Sequence, residues 1–282
     1  MGRVCCHTSL CGSLDKKGKK LMIPKIIHYC WFGGNPLPEL AQKCIASWKK
    51  YCPDYEIIEW NESGFDINCC DYVHEAYEAR KWAFVSDVAR LYALVNYGGI
   101  YMDTDVEVLR PLDDLLEYEA VSGFEAQDRI PTGLMACRAG QPLFVELLHE
   151  YDTAHFLKED GTYDTTTNVT RITNTCLKYG LQLNNTLQTV NGFTLLPYDY
   201  LCPKDAETHV LTITENTYVI HHFDGSWLSE VDRVTAEMSR RYRKILPKSI
   251  ADLLGRFVAK KRINGFKVAI KDTLHWLKKR NE

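Results

Sequence analysis

Three acidic residues, Asp103, Asp105 and Glu107, alternate along the chain directly after an apolar run. Alternate side chains of a β-strand lie on one face, so the sequence predicts a strand over 100–109 with these carboxylates and Tyr101 on one side. Crowded carboxylates repel one another unless a positive charge offsets them. Two aspartates at the end of a strand offer hard oxygen ligands to Mg²⁺ or Mn²⁺, which also bind phosphate. The pattern favours a divalent-metal site, with a solvated edge strand as the alternative.

A helix that precedes this strand carries a second group of polar residues. The helix is predicted to start near Tyr72 or Ala79, and its apolar stripe ends at Tyr97 before two glycines, which are favoured just past a helix C-terminus. Asp87 and Arg90 are three residues apart and therefore lie side by side, next to Ser86. A guanidinium can donate to a phosphate or sugar hydroxyl and a carboxylate can accept from sugar hydroxyls. A surface salt bridge is the alternative for this pair.

The order of the predicted elements indicates the fold class. A strand at 23–31, a helix at 38–50 and a strand at 55–60 precede the helix that carries Asp87. Strands alternating with helices predict an α/β fold with parallel pairing. Further strands are predicted near 120–124, 133–138, 194–197 and 217–222, and a further helix over 142–156.

Composition is that of a folded protein with one catalytic domain and an appendage. The chain has 282 residues, of which 45% are hydrophobic and 25% charged, with a net charge of −3. Its 11 cysteines include no C-x-x-C pair, which favours a reduced, cytoplasmic compartment. Residues 1–21 are polar, so we expect them to be disordered or an upstream extension before Met22. The catalytic domain is then predicted over 22–230 and a separate tail over 231–282.

The tail is strongly basic. From 231 onward the sequence has 15 lysines and arginines against 5 aspartates and glutamates, a net charge of +10. Its apolar stripes are Ile250, Leu253, Leu254, Phe257 and Val258, followed by Phe266, Ile270, Leu274 and Leu277. Basic amphipathic helices of this kind bind anionic membrane surfaces, or they pack on a neighbouring domain with their lysines in solvent. No nucleic-acid-binding motif accompanies the charge, so a nucleic-acid partner is not expected.

Taken together, two segments resemble the signature of glycosyltransferase family 32: SDVAR at 86–90 and YGGIYMDTD at 97–105. That family includes capsular and exopolysaccharide transferases, and its core is similar to that of the clostridial glucosylating toxins. The resemblance implies a GT-A-like, Rossmann-type nucleotide-sugar-binding sheet flanked by helices, here with the basic helical tail. It also implies that Asp103 and Asp105 hold Mn²⁺ or Mg²⁺ while Asp87 and Arg90 orient the donor sugar.

Two more segments are similar to the same family. IPKIIHYCWFG at 23–33 resembles its opening strand, which implies that Trp31 stacks on the nucleotide base, with a core position as the alternative. HHFDGSW at 221–227 resembles its closing motif, which implies His222 as a metal ligand, with His221 as the competing assignment. Ser226 and Trp227 would then contact the diphosphate and cover the site, as Ser86 and Tyr101 contact the donor.

The expected function is metal-dependent, retaining transfer of a hexose from a UDP-sugar or GDP-mannose to a glycan or lipid-linked saccharide acceptor in surface polysaccharide synthesis. The expected location is cytoplasmic, with peripheral attachment to the inner face of the plasma membrane. Two alternatives remain open. One is a haloacid-dehalogenase-like phosphohydrolase with Asp103 as nucleophile, because an apolar strand ending in Asp-x-Asp-Val is also typical of that class. The other is a non-catalytic glycan- or membrane-binding module.

Overall fold

A computed structural model describes residues 22–125, 129–225 and 228–279. The expectation of disorder over 1–21 lies outside the described residues. The chain divides into two compact units, of which the first runs to Asp205 and takes in Val210–His222. The second unit comprises Ala206–His209 and the chain from Phe223 onward. The predicted boundary at residue 230 stays a prediction.

The first unit opens with the predicted strand, helix and strand. These are β1 (Ile26–Cys30), α1 (Glu39–Tyr51) and β2 (Glu56–Trp60). The two strands pair in parallel, as alternation with a helix requires. Helix α1 buries Trp48, whose indole N–H donates to the Val106 carbonyl at 2.7 Å, so it holds the chain that follows the acidic residues.

The chain from Asp71 to Tyr97 forms two helices, α2 (Asp71–Glu78) and α3 (Trp82–Tyr97). They are separated at Arg80, whose φ of 54° is incompatible with a continuing right-handed helix. Of the two predicted starts for the helix that ends at Tyr97, the one near Ala79 is therefore closer. Helix α3 buries Asp87 and Arg90 together with its apolar residues, so their pairing is not a surface feature. It ends at Gly98, with φ 65° and ψ −164°, a conformation almost confined to glycine.

The predicted continuous strand over 100–109 is wrong. The chain forms β3 (Gly99–Met102), turns, and then forms β4 (Val106–Val108) in a different sheet. The Val106 N–H donates to the Asp103 carbonyl at 3.0 Å and closes the turn. Aspartate is favoured in turns because its side chain can bond to nearby backbone, a preference that competes with the strand pattern. Asp103 and Asp105 therefore lie at the end of a strand and not along its face.

The rest of the first unit follows the predicted alternation with shifted ends. A 3-10 helix at Asp113–Glu117 leads into the remaining elements: β5 (Ala120–Gly123), β6 (Leu134–Cys137), α4 (Pro142–His149), α5 (Asn168–Lys178), β7 (Gln188–Val190), β8 (Phe193–Leu196), α6 (Tyr198–Leu201) and β9 (Val219–His221). Helix α4 ends well before the predicted residue 156.

Seven strands in the described part of the chain form one mixed sheet, in the order β2-β1-β3-β6-β5-β8-β7. β1 pairs in parallel with both β2 and β3, whereas β6 is antiparallel to β3 and to β5. One apolar core contains α3 and α4, and a second contains Trp48 of α1 with β4 and the 3-10 helix. A mixed sheet flanked by helices confirms the predicted α/β fold class.

The second unit is helical, as predicted for the tail. It contains α7 (Glu230–Arg243), α8 (Lys248–Asn264) and α9 (Phe266–Lys279). Ser229 caps α7 by accepting from the Asp232 N–H at 3.2 Å. Among the described residues, none of the helices combines the length and apolar character needed to span a bilayer.

The turn at Gly98 yields a stability prediction, because an added Cβ there would lie 2.7 Å from the Ala139 nitrogen and 2.9 Å from the Cys137 oxygen. Gly140 also has a positive φ, of 71°, but a Cβ added there would meet no atom within 4 Å. We expect Gly98→Ala to lower the free energy of unfolding by about 2–4 kcal/mol and Gly140→Ala by about 1–2 kcal/mol. Urea denaturation measures both; equal losses would contradict the close packing at Gly98.

Candidate functional site

The site lies at the edge of the sheet where parallel strands end. β1, β2 and β3 run in the same direction, so Cys30, Trp60 and Met102 finish at one edge. Met102 also pairs with Leu134, the first residue of antiparallel β6, which brings Gly133 to the same edge. Ligands of open α/β sheets bind at this carboxyl edge.

Asp103 is the first residue beyond β3 and is fixed by three contacts. Its backbone N–H donates to the Gly133 carbonyl at 2.9 Å. Its Oδ1 accepts from the Tyr101 hydroxyl at 2.9 Å and lies 3.3 Å from Arg90 Nη1. The Asp103 side chain is still about a quarter exposed, so the carboxylate is positioned by protein groups while remaining accessible.

Arg90 is almost fully buried and contacts both Asp87, its predicted partner on the helix, and Asp103 of the acidic segment. Its Nη1 donates to the Thr132 carbonyl at 3.0 Å, and its Nη2 lies 3.4 Å from Asp87 Oδ1. The guanidinium also lies over the Tyr101 ring, 4.5 Å from the centroid. Burial acts to lower the pKa of Arg90, but the charge of Asp103 and the other neighbouring acidic groups outweighs it, so the pKa is raised. Arg90 is therefore a fixed positive charge at the site.

Asp87 is buried beside Arg90 and is held by the start of α5. The Asn168 backbone N–H donates to Asp87 Oδ2 at 3.2 Å, and the Asn168 side-chain amide donates to the Asp87 carbonyl at 2.7 Å. Tyr151 in turn donates to Asn168 Oδ1 at 2.6 Å. Burial raises the pKa of Asp87 to about 6, against the opposing effect of Arg90. Asn168 was not predicted, because nothing in the sequence links it to residue 87.

The two histidines of the closing motif point in different directions: His221 is the last residue of β9, and His222 directly follows it. The register pairs Val106 with His221, so the His221 imidazole comes beside Asp105, with Nε2 3.3 Å from Asp105 Oδ1. His222 Nε2 instead bonds to Glu107 Oε2 at 2.8 Å. Successive residues of a strand point to opposite sides, which is why only one histidine can face the aspartates. The geometry favours His221, the competing assignment, over His222.

Asp105 dominates the electrostatic environment of His221. Burial acts to lower the pKa of the imidazole, yet the charge and hydrogen bond of Asp105 outweigh burial and hold the pKa well above its usual value. One ligand atom from each of Asp103, Asp105 and His221 can be chosen so that all lie within 4.8 Å of one another. Two carboxylates and an imidazole are a donor set that suits Mn²⁺, and the carboxylates also suit Mg²⁺. These residues fit a divalent cation.

Gly133 is a supporting residue that the sequence did not single out. A Cβ at this position would lie 2.8 Å from His221 Nδ1 and 2.9 Å from Cε1, closer than carbon atoms normally approach. The backbone of Gly133 thus contacts the His221 ring while its carbonyl accepts from Asp103. Its signal in the sequence is its position directly before a buried apolar strand, where glycine allows close backbone approach.

The residues predicted around the nucleotide are placed at the same edge. The Trp31 indole N–H donates to the Asn35 carbonyl at 2.6 Å, and the Ser86 carbonyl accepts from Arg90 Nε at 3.2 Å. A cleft beside β1 is lined by Gly33, Gly34, Asn35, Glu62, Tyr77, Glu78, Arg80 and Trp82. Trp82 therefore offers an aromatic surface in this cleft that the sequence did not indicate. Ser226 and Trp227 lie outside the described residues, and their predicted contacts stay predictions.

Comparison with known proteins agrees with this arrangement. Residues 38–122 match the model of the family described as "Glycosyltransferase sugar-binding region containing DXD motif". Inositol phosphoceramide mannosyltransferase 3 of Schizosaccharomyces pombe is 33% identical over 130 residues, 45% of this chain and 36% of that protein. Mannosyl phosphorylinositol ceramide synthase SUR1 of Saccharomyces cerevisiae is 29% identical over 154 residues, 51% of this chain and 39% of that protein. This chain thus spans little more than a third of the length of these relatives.

Among solved structures, a protein titled "PaToxG Glycosyltransferase" is similar with a TM-score of 0.39 and 19% identity, over 45% of this chain and 59% of that one. The matched family region contains both the Asp87–Arg90 pair and the Asp103–Asp105 pair. The predicted resemblance is confirmed at this level: residues 38–122 are similar to the sugar-binding region, containing a DXD motif, of a glycosyltransferase family, and both relatives named above are glycosyltransferases by name.

Proposed function

We propose that this chain transfers a hexose from a nucleotide diphosphate sugar to a glycan or lipid-linked saccharide, with a divalent cation held by Asp103, Asp105 and His221. The observation that carries this proposal is the convergence of these three side chains within 4.8 Å at the sheet edge that also presents Arg90. A solvated edge strand would not bury an arginine between two aspartates.

Each protein group has a distinct part in the proposed reaction. A bound Mn²⁺ or Mg²⁺ neutralises negative charge that builds up on a departing diphosphate. Asp103, Asp105 and His221 would hold the cation. Arg90 adds a fixed positive charge beside them and is already oriented by Thr132 and Tyr101. Asp87, ionised above its pKa of about 6, accepts hydrogen bonds from sugar hydroxyls.

The transfer that we propose retains configuration at the anomeric carbon. The bond from that carbon to the diphosphate oxygen breaks, and the diphosphate leaves with the electron pair. The acceptor hydroxyl oxygen bonds to the same carbon from the same face, and its proton passes to the departing diphosphate. No protein nucleophile is required in this scheme, so catalysis is electrostatic and positional.

For the donor, the cleft beside β1 offers a place for the nucleoside, with Trp82 in its lining as a surface on which a base can stack. Trp31 adjoins this cleft through its hydrogen bond to the Asn35 carbonyl and is the second proposed stacking surface. We propose a UDP-sugar or GDP-mannose. Both relatives named above carry "mannosyl" in their names, which supports GDP-mannose as the first donor to test.

For the acceptor, the same names point to a lipid, because one contains "inositol phosphoceramide" and the other "phosphorylinositol ceramide". We propose a lipid-linked saccharide in surface polysaccharide synthesis, such as capsule formation, for this chain. A cytoplasmic location at the inner face of the plasma membrane is part of the same proposal.

The first test compares two acidic residues of the same segment. Asp105→Asn removes a proposed ligand charge, and we expect Mn²⁺-dependent release or transfer of the sugar to fall by about 100-fold or more. Glu107→Gln is the matched control, since Glu107 lies on the other side with His222 and Lys43. We expect this control to retain activity within about threefold. Both are measured as kcat/KM with GDP-mannose and the UDP-sugars.

Two results would contradict the proposal. Turnover of a phosphate monoester through an acylphosphate on Asp103 would support the phosphohydrolase alternative. Absence of turnover with every donor, in protein that is folded and contains Mn²⁺, would support a non-catalytic module.

The second test decides between the histidines. We expect His221→Gln to weaken Mn²⁺ binding by about 10–100-fold and His222→Gln to leave it nearly unchanged, as followed by electron paramagnetic resonance of free Mn²⁺. The opposite result would restore His222 as the ligand.

Gly133→Ala extends this test without altering any ligand. Because the added methyl must displace the His221 ring, we expect a loss of Mn²⁺ affinity of about tenfold or more. Gly64→Ala is the control, since its Cβ would meet no atom closer than 3.9 Å. Equal Mn²⁺ affinities for the two variants would show that Mn²⁺ binding does not depend on the position of the His221 ring.

A further inference from the structure

The helical unit exposes apolar side chains that its own packing does not cover. On α8 these are Ile250 and Leu254, exposed by 46% and 37%, and on α9 they include Phe266 and Leu274, each exposed by 56%. Ile270 of α9 is 40% exposed and lies on the same stripe, four residues from each neighbour. Large apolar residues grouped in this way mark an interaction surface.

Helix α8 uses a different face for its internal packing. Ala251, Gly255 and Ala259 are fully buried and recur every four residues. A Cβ at Gly255 would lie 2.8 Å from the Ser239 nitrogen and 3.0 Å from the Thr235 oxygen, so α8 and α7 approach closely along this face. The partner of the buried face is therefore α7, and Ile250 and Leu254 lie outside that contact.

Helices α8 and α9 are joined as a hairpin and pack against each other. The chain reverses at Gly265, with φ 88°. Asp272 of α9 pairs with Arg256 at 2.7 Å and with Lys260 at 3.7 Å, while Phe257 and Phe266 meet edge to face at 6.1 Å. The exposed apolar residues of both helices are therefore carried by one packed helical hairpin.

Exposed basic residues border the apolar stripe. Lys267 and Lys271 each follow a stripe residue directly and so form the adjacent row of α9, and Lys261 lies over the Phe266 ring at 5.7 Å. Among the described residues, no carboxylate lies within ion-pair distance of Lys261, Lys267 or Lys271, whereas the inward Arg256 and Lys260 are paired. We call this surface the α8–α9 face: Ile250, Leu254, Phe266, Ile270 and Leu274 with Lys261, Lys267 and Lys271.

We propose that the α8–α9 face docks on the surface of an anionic lipid bilayer. Apolar side chains enter the boundary between headgroups and acyl chains while the neighbouring lysines contact anionic headgroups. The net charge of +10 over 231–282 complements such a surface. The same charge opposes pairing of this face with a second copy, because like charges repel. A nucleic acid would engage the lysines but would leave the apolar stripe in water.

The test is co-sedimentation of the full-length chain with vesicles of phosphatidylcholine alone or with about one third phosphatidylglycerol. We expect binding only to the anionic vesicles, and loss of that binding at high salt, which screens the attraction. The assay needs neither donor nor cation. Its failure would therefore contradict the proposed location at the membrane but leave the proposed sugar transfer untouched, and inactivity of the enzyme would leave this inference untouched.

Two paired substitutions separate charge from apolar insertion. Lys267→Gln with Lys271→Gln should weaken binding to the anionic vesicles by about 20-fold, and Phe266→Ser with Ile270→Ser by about 100-fold. The matched controls are Lys49→Gln with Lys50→Gln, and Leu183→Ser with Leu187→Ser, which alter exposed residues of the first unit. We expect both controls to bind as the unaltered chain does. Circular dichroism checks that the helices remain. Because Lys267 and Lys271 are exposed, the lysine pair keeps the test valid if the apolar pair fails to fold.

Three outcomes would overturn the inference. One is sedimentation of the unaltered chain with neither vesicle, or equally with both at all salt concentrations. Another is a loss of binding in the control pairs as large as that in the α8–α9 pairs. The third is a dimer in sedimentation equilibrium that Phe266→Ser with Ile270→Ser dissociates, which would assign the face to a second copy. The inference would be established if the chain bound only to anionic vesicles, if salt weakened that binding, and if only the substitutions on the α8–α9 face reduced it.

Discussion

The structure depends on the balance of charge around two carboxylates at the end of β3. Asp103 and Asp105 would repel each other at a sheet edge, and each is offset by a partly or fully buried positive partner: Arg90 at 3.3 Å from Asp103, and His221 at 3.3 Å from Asp105. These partners come from a helix before the strand and from the strand that closes the first unit. The same arrangement leaves the carboxylates accessible, so a divalent cation bound by Asp103, Asp105 and His221 would replace the His221 proton and take over the compensation of charge.

The fold supplies this balance through three features of backbone geometry. The turn after Met102 moves Asp105 off the seven-stranded sheet and leads into β4. Pairing of β4 with β9 then brings His221, near the end of the first unit, to the site. The antiparallel β6 brings Gly133 against both Asp103 and the His221 ring. Helix α3 buries Arg90 so that its guanidinium is oriented before any donor binds, which reduces the reorganisation that catalysis would require.

Several residues of this site can be recognised from short sequence patterns. The placement of the others depends on contacts between segments that are far apart in the sequence. Asp87, Arg90, Asp103 and Asp105 stand out in the sequence because their types and short spacings have a chemical meaning within one helix or strand end. The choice between His221 and His222 depends on the register of β9 against β4, and a shift by one residue exchanges their faces. Asn168 lies 81 residues from Asp87, and contacts at such distances leave no short-range signal. The break between β3 and β4 was missed because turn-forming aspartates alternate as strand residues do.

The most direct test of the account is whether donor and cation bind as a unit at this edge of the sheet. Thermal unfolding should be followed with UDP-glucose, UDP-galactose, UDP-N-acetylhexosamines and GDP-mannose, each with and without Mn²⁺. The account predicts that at least one donor raises the Tm by about 3 °C or more when Mn²⁺ is present and much less without it. Stabilisation by no donor, or by a donor to the same extent without the cation, would contradict it.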